Sequence, residues 1–350
     1  MNVWKMAIVS VCLSLMMGAA AVAATVPDSP QLRTEPPKFI RIPEEPPQPA
    51  MPVSTEKRIG VNVASRILTV YEGNTKIAMY PVGVGKVETP TPVGNYAVQN
   101  KEINPTWVDP GDTSIQVPSG PDNPLGYRWI GFNGTYGIHG TNRPDTVGGY
   151  VSNGCVRMRE EDVEQVYNLV TIGTPVTVYY DRIVIDSDQD HTVSYYIYPD
   201  GYGWQQVTIS DVKKALKGYG VDTFASDASI SREILLANGE PNYVAKAYDL
   251  YVNGQKLSMR ALRKDGITYL PAVAIATALS LDLQWNSDEG ILTSPYGQAL
   301  GIVKSDVVYI SSSNMNTLFH VTGGLGSDLV YRLQSAAYDT KPVVTITANE

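Results

Sequence analysis

Cysteine is nearly absent from this chain of 350 residues, which carries only Cys12 and Cys155. Cys12 lies in the middle of the apolar opening MNVWKMAIVSVCLSLMMGAAAVAATV, where attachment of a lipid followed by cleavage would be out of place. Lys5 before the run and small residues after it predict a signal peptide over 1–24, cut after Ala23 or Ala24. The run is too short, and too soon followed by proline, to read as a membrane span; an uncleaved anchor is the alternative. The mature protein is therefore expected to be soluble outside the cytoplasm. Export leaves Cys155 without a partner, which excludes an internal disulfide. A single thiol in an oxidising compartment invites oxidation and intermolecular pairing, so its presence favours a chemical use. The competing reading is a buried thiol that packs as a small hydrophobe.

An excess of basic residues is missing too. Lysine and arginine number 27 against 35 acids, a net charge of -8, and removal of Lys5 takes it to -9. That balance excludes nucleic acid as a partner. Only three histidines occur, with no His/Cys/Asp cluster at metal-ligand spacing, so no metal or cofactor is expected. There is no fixed-period repeat and no glycine-rich phosphate loop. About 325 residues remain after cleavage, more than one core usually takes, and at least two domains follow.

Residues 25–54 are the next distinct stretch. Nine prolines fall between positions 26 and 52, with no apolar periodicity that could bury a face, which predicts an extended linker. From about Arg58 short alternating runs begin: RIGVNV, RILTVYEG and NTKIAMYPVGVG, a β-meander. TPVGNYAVQN, RWIGFN, YGIHGT and GTPVTVYYDRIVI read as further strands. One helix is expected here, from about Arg159 to Val170, with acids in its first turn and an apolar stripe of Val163, Val166, Tyr167 and Val170. Residues 55–184 thus form a mostly β domain. The stretch 185–247 reads as a connector of unknown role, with a helix at ISDVKKALKGYG that Gly220 would cap. Residues 248–350 read as a small α+β module: a hairpin, a strand pair, a helix near Ala272 to Leu279, and a final strand in KPVVTITANE.

The chemistry concentrates in YGIHGTNRPDTVGGYVSNGCVRMRE, residues 136–160. A thiolate, not a thiol, is the nucleophile, so a reactive cysteine needs an imidazole, a cation or a helix N-terminus to lower its pKa. His139 lies sixteen residues before Cys155, Arg157 two after it, and the helix begins within about a turn. Gly154 permits a conformation closed to other residues, letting the sulfur stand clear and nearby amides face a developing oxyanion. Arg157 is the candidate for holding a substrate carboxylate or for bracing the loop. Ser152 and Asn153, in the tight turn that presents the thiol, are candidates for binding substrate. Trp107, Trp129 and Tyr136, with the loops of 104–128, are candidates for lining a cleft. His191 and His320 sit in no comparable setting.

IHGT followed by SNGCVRM resembles the signature of the L,D-transpeptidase catalytic domain, and GVGKVETPTPVGNYAV, NPTWVDP and VPSGPDNPLGYRWI support the resemblance over about 57–180. It implies a β-sandwich-like domain with one helix after the cysteine, acting on the stem peptides of peptidoglycan. Cys155 would be the nucleophile and His139 the general base and later acid. The Gly140 carbonyl would orient the imidazole, and amides around Gly154 and Cys155 would bind the oxyanion. Asn153 stands where many members have a second histidine. The implied reaction forms 3-3 crosslinks with release of terminal D-Ala, and carbapenems would acylate the same thiol. A water acceptor would make the enzyme an L,D-carboxypeptidase, and other acceptors would make it one that attaches or detaches wall proteins. A non-catalytic wall-binding scaffold is the reading from another class. YVNGQKL, DGITYLPAVAIATAL and LQWNSDEGIL resemble the small module at the N-terminus of copper amine oxidases, which implies an accessory envelope or wall contact.

Overall fold

The structure is a computed structural model that describes residues 56–335. The signal peptide, the Pro-rich linker and the strand expected in KPVVTITANE lie outside the described residues. The expected meander is present as β1 (Lys57–Asn62), β2 (Ile67–Glu72) and β3 (Thr75–Pro81), each antiparallel to the next. There follow β4 (Val84–Gly85), β5 (Gly94–Ala97), β6 (Asn100–Ile103), β7 (Trp107–Val108) and β8 (Gln116–Val117). Next come β9 (Arg128–Asn133), β10 (Tyr136–His139), β11 (Tyr150–Ser152) and β12 (Val156–Arg157). Helix α1 (Glu160–Leu169) and β13 (Pro175–Tyr179) complete this half.

Two sheets carry it, in the orders β3-β2-β1-β13-β5 and β12-β10-β9-β6. Side chains alternate across a strand, so β13 turns Val176 and Val178 inward. They join one core with Ile59, Val61, Leu68 and Val70 from the first sheet and Ile130, Phe132, Ile138 and Val156 from the second. That is the β-sandwich-like arrangement the resemblance implies. Helix α1 adds Val163 and Val166 to this core, three acids in its first turn complement the dipole, and Lys101 Nζ donates to the terminal carbonyls of Tyr167 and Val170, 2.6 Å each.

The interval 185–247, expected as a connector, is instead folded into the second half. Strands β14 (Ile183–Ser187), β15 (Thr192–Ile197) and β16 (Asn242–Tyr248) form one edge of a nine-stranded sheet whose remaining strands lie between Ala261 and Ser311. Its tyrosine-rich strand hid a simple alternation: Val193, Tyr195 and Ile197 all face inward on β15. Helices α2 (Ile209–Lys217) and α3 (Asp227–Leu236) cover them with Val212, Leu216 and Ile230. Thr208 and Asp211 close a reciprocal capping box at the start of α2. At its other end Gly218, not Gly220, is the cap; Gly220 (φ +71°) makes the left-handed turn two residues later. The helix expected near 272–279 spans Ala272–Ala278. No helix among the described residues is long and apolar enough to cross a membrane.

Candidate active site

Strands β10 and β12 run parallel, with Ile138 opposite Val156 and His139 opposite Arg157. Ile138 and Val156 are fully buried in the core, so alternation sends His139 and Arg157 out of the other face. Cys155 immediately precedes Val156 and shares that face. Parallel pairing thus turns sixteen residues of sequence into neighbouring strands, about 4.8 Å apart.

His139 is 4% exposed. Its Nδ1 lies 2.6 Å from the Gly140 carbonyl, which can only accept, so Nδ1 carries the proton and Nε2 keeps its lone pair. Trp129, opposite His139 on β9, stacks its ring on the imidazole with centroids 5.9 Å apart and an 18° tilt. Its Nε1 donates to Asn100 Oδ1 at 3.3 Å. Trp129 is therefore a wall of the histidine's pocket. Burial drives the imidazole pKa down to about 4; the Gly140 bond opposes this, and the Arg157 charge adds to it.

Cys155 is half-buried, and its Sγ lies 3.7 Å from the Thr135 carbonyl. The expectation of a thiol lowered by its neighbours is corrected here. Desolvation raises it, and a backbone hydrogen bond from Gly137 and the charge of Arg157 offset this only in part. Strand β12 stands between the thiol and the helix, which starts only at Glu160. At rest both groups are neutral, the thiol through desolvation and the imidazole through burial.

Gly154 adopts φ +114° against the Tyr136 ring, where a Cβ would come within 2.4 Å of Cε1. Its N–H donates to Ser152 Oγ at 3.0 Å, so this amide, expected to face an oxyanion, is turned into the loop. Ser152 Oγ in turn donates to the Cys155 carbonyl at 2.6 Å. Ser152, expected to meet substrate, is buried and builds the turn; Asn153 beside it is exposed. Tyr136 packs beneath that turn. Trp107 sits in the β7–β8 ribbon, opposite Val117.

Arg157 Nη1 donates to Thr146 Oγ1 at 2.9 Å, while its buried Nε has no partner. No carboxylate among the described residues forms an ion pair with this guanidinium at contact distance, although the Asp145 charge acts on it. Sequence reasoning missed Glu160, read only as a helix-dipole acid. Its Oε1 accepts the Tyr127 N–H at 2.9 Å, and its Oε2 lies where a Cβ on Gly126 or Gly140 would come within 2.0 or 2.1 Å. Burial raises its carboxyl, against backbone hydrogen bonds from Tyr127 and Thr141. It therefore braces the loop whose carbonyl holds His139. The glycine at 140, next to a helix-start acid, was the available signal. Among the described residues no three His, Cys, Asp or Glu side chains gather as a metal site.

A two-sheet domain that sets a thiol and a buried imidazole on one face is a scaffold for acyl transfer. The L,D-transpeptidase catalytic domain family matches residues 56–178. YqjB of Bacillus subtilis, which bears the L,D-transpeptidase name, is 40% identical over 133 residues, covering 36% of this chain and 73% of that protein. ErfK/SrfK of Escherichia coli, named likewise, is 34% identical over 177 residues, covering 46% and 53%. Among solved structures, an Enterococcus faecium L,D-transpeptidase is 25% identical with a TM-score of 0.31, covering 36% of this chain and 50% of that one. Another, solved with imipenem, is 20% identical with a TM-score of 0.29, covering 35% and 58%. The chain spans about half the length of the E. coli relative and of these solved chains. The chain belongs to the L,D-transpeptidase family.

Proposed function

We propose that this protein is an exported L,D-transpeptidase that forms 3-3 crosslinks in peptidoglycan through a thioester on Cys155. The observation that supports it is the register of β10 and β12, which brings His139 onto the face of Cys155 while the Gly140 carbonyl leaves Nε2 free as a base. Sγ attacks the carbonyl between the stem's diamino acid and its terminal D-Ala, and the thiol proton passes to Nε2. The carbon–nitrogen bond breaks, D-Ala leaves with that proton, and a thioester remains. An amine of a second stem then attacks the thioester, gives a proton to His139, and releases the thiol. Because both groups are neutral at rest, proton transfer accompanies attack instead of preceding it.

The Cys155 N–H carries no hydrogen bond among the described residues and is the donor for the oxyanion, in place of Gly154. Arg157, whose buried Nε has no partner, receives a stem carboxylate. Carbapenems such as imipenem acylate the same sulfur. Residues beyond 248 serve as an accessory envelope contact, on their resemblance to the module named above.

Incubation with a disaccharide-tetrapeptide, followed by mass analysis, tests the reaction. Crosslinked dimer with free D-Ala is expected. Tripeptide alone would mean a carboxypeptidase, and unchanged substrate would mean a scaffold.

A further inference from the structure

We propose that Tyr202, which lies beyond the family-matched residues 56–178, is a positioning residue for the nucleophile turn; this rests on the role of Cys155 given above. After β15 the chain returns to the first half through YPDGYGWQ, residues 198–205. There Tyr202 is 7% exposed and joins the catalytic core, not the core of its own half. Its ring lies among Tyr150, Tyr180 and Trp204, with centroids 5.1, 5.5 and 4.6 Å away. Gly201 lets it approach, since a Cβ there would stand 2.2 Å from the Tyr150 ring.

The hydroxyl is engaged in both directions. It donates to the Gly85 carbonyl at 2.7 Å and accepts the Thr91 N–H at 3.3 Å. Thr91 is fully buried, and its Oγ1 accepts the Gly85 N–H at 2.9 Å. One phenol thus bonds both ends of the loop from Gly85 to Thr91, of which only Gly85 pairs in a ladder, β4 with β11. That loop grips the catalytic turn: the Lys86 N–H and Thr89 Oγ1 both donate to the Ser152 carbonyl, at 2.9 and 3.2 Å. Ser152 then holds Gly154 and the Cys155 carbonyl through its own hydroxyl. From phenol to thiol the path alternates these hydrogen bonds with short covalent steps, from Gly85 to Lys86 and from the Ser152 carbonyl to its hydroxyl. It passes through the exposed residues Lys86 and Thr89. Removing the phenol oxygen leaves a carbonyl and an amide unpaired behind the site and frees the loop that aligns the sulfur.

The test is the rate of imipenem acylation of the full chain, followed by intact mass at a temperature where circular dichroism shows each variant folded. Tyr202→Phe is expected to lower the limiting acylation rate about tenfold, with the half-saturating imipenem concentration and the pH profile unchanged. Tyr309→Phe, which removes a hydroxyl bonded to Thr223 in the second half, is expected to match the wild type. If Tyr202→Phe does not fold, Thr91→Val carries the same expectation through the same loop. An unchanged rate in the folded Tyr202 or Thr91 variant, or equal slowing by Tyr309→Phe, overturns the inference alone. A wild type that imipenem does not acylate overturns both it and the reading on which it rests.

Discussion

The two halves of the described chain bury polar groups very differently. Up to β13 the interior holds Asn62, Ser65, Thr69, Thr91, Asn123, His139, Thr141, Ser152 and Thr174; beyond it only Arg182 and Glu233 are buried among the described polar and charged residues. The second half closes its backbone within a long sheet and helices, so few side chains need to reach inward. The first half has short strands joined by loops, and loops have no ladder to satisfy them. Asn123 shows the consequence, donating from Nδ2 to the carbonyls of Pro105, Val117 and Pro118 across a loop that would otherwise be loose. Buried polar side chains mark the half that must hold irregular backbone still around the proposed catalytic pair.

The comparison predicts where substitutions act on chemistry and where they act on stability alone. The largest effect belongs to His139→Gln, which keeps a polar side chain but removes the base. Imipenem acylation should fall by about a hundred- to ten-thousand-fold while circular dichroism is unchanged; near-normal rates would break the assignment. Next is the pH dependence of stability. An unfolded histidine takes a proton near pH 6.5, whereas the folded one resists to about 4. Between those values the unfolded state binds more protons, so stability falls as pH drops. About 3 kcal/mol should be lost across that window in urea titrations of the wild type, beyond what His139→Gln loses. Equal slopes would mean that the imidazole is less buried than the structure shows.

Smaller still is Gly140→Ala, whose Cβ would collide with the Glu160 carboxylate. It should cost about 1–3 kcal/mol by chemical denaturation and slow acylation as well. In the second half, Thr208→Ala breaks the capping box of α2 and should cost about 1 kcal/mol with no change in acylation rate. Slower acylation in that variant would erase the distinction between the halves.

The sequence made the proposed pair legible because IHGT and SNGCVRM are contiguous motifs, and alternation located β1 to β3, β9, β10 and β13. Helix α1 was legible from its stripe to within a residue at each end. Three things were not. Loop hydrogen bonds such as Gly154 N–H to Ser152 Oγ depend on φ values that residue names do not reveal. Desolvation of Cys155 depends on packing from distant strands. The interval 185–247 seemed a connector because its strands pair with others far along the chain, β16 with Ala261–Lys264.

The central claim is that one thiol, on the face of a buried imidazole, takes the acyl group. Intact-mass measurement with imipenem, followed by peptide mapping, tests it most directly. A single adduct mapping to Cys155, absent from Cys155→Ala, is the predicted result. An adduct that survives in Cys155→Ala, or a wild type that stays unmodified, would contradict it.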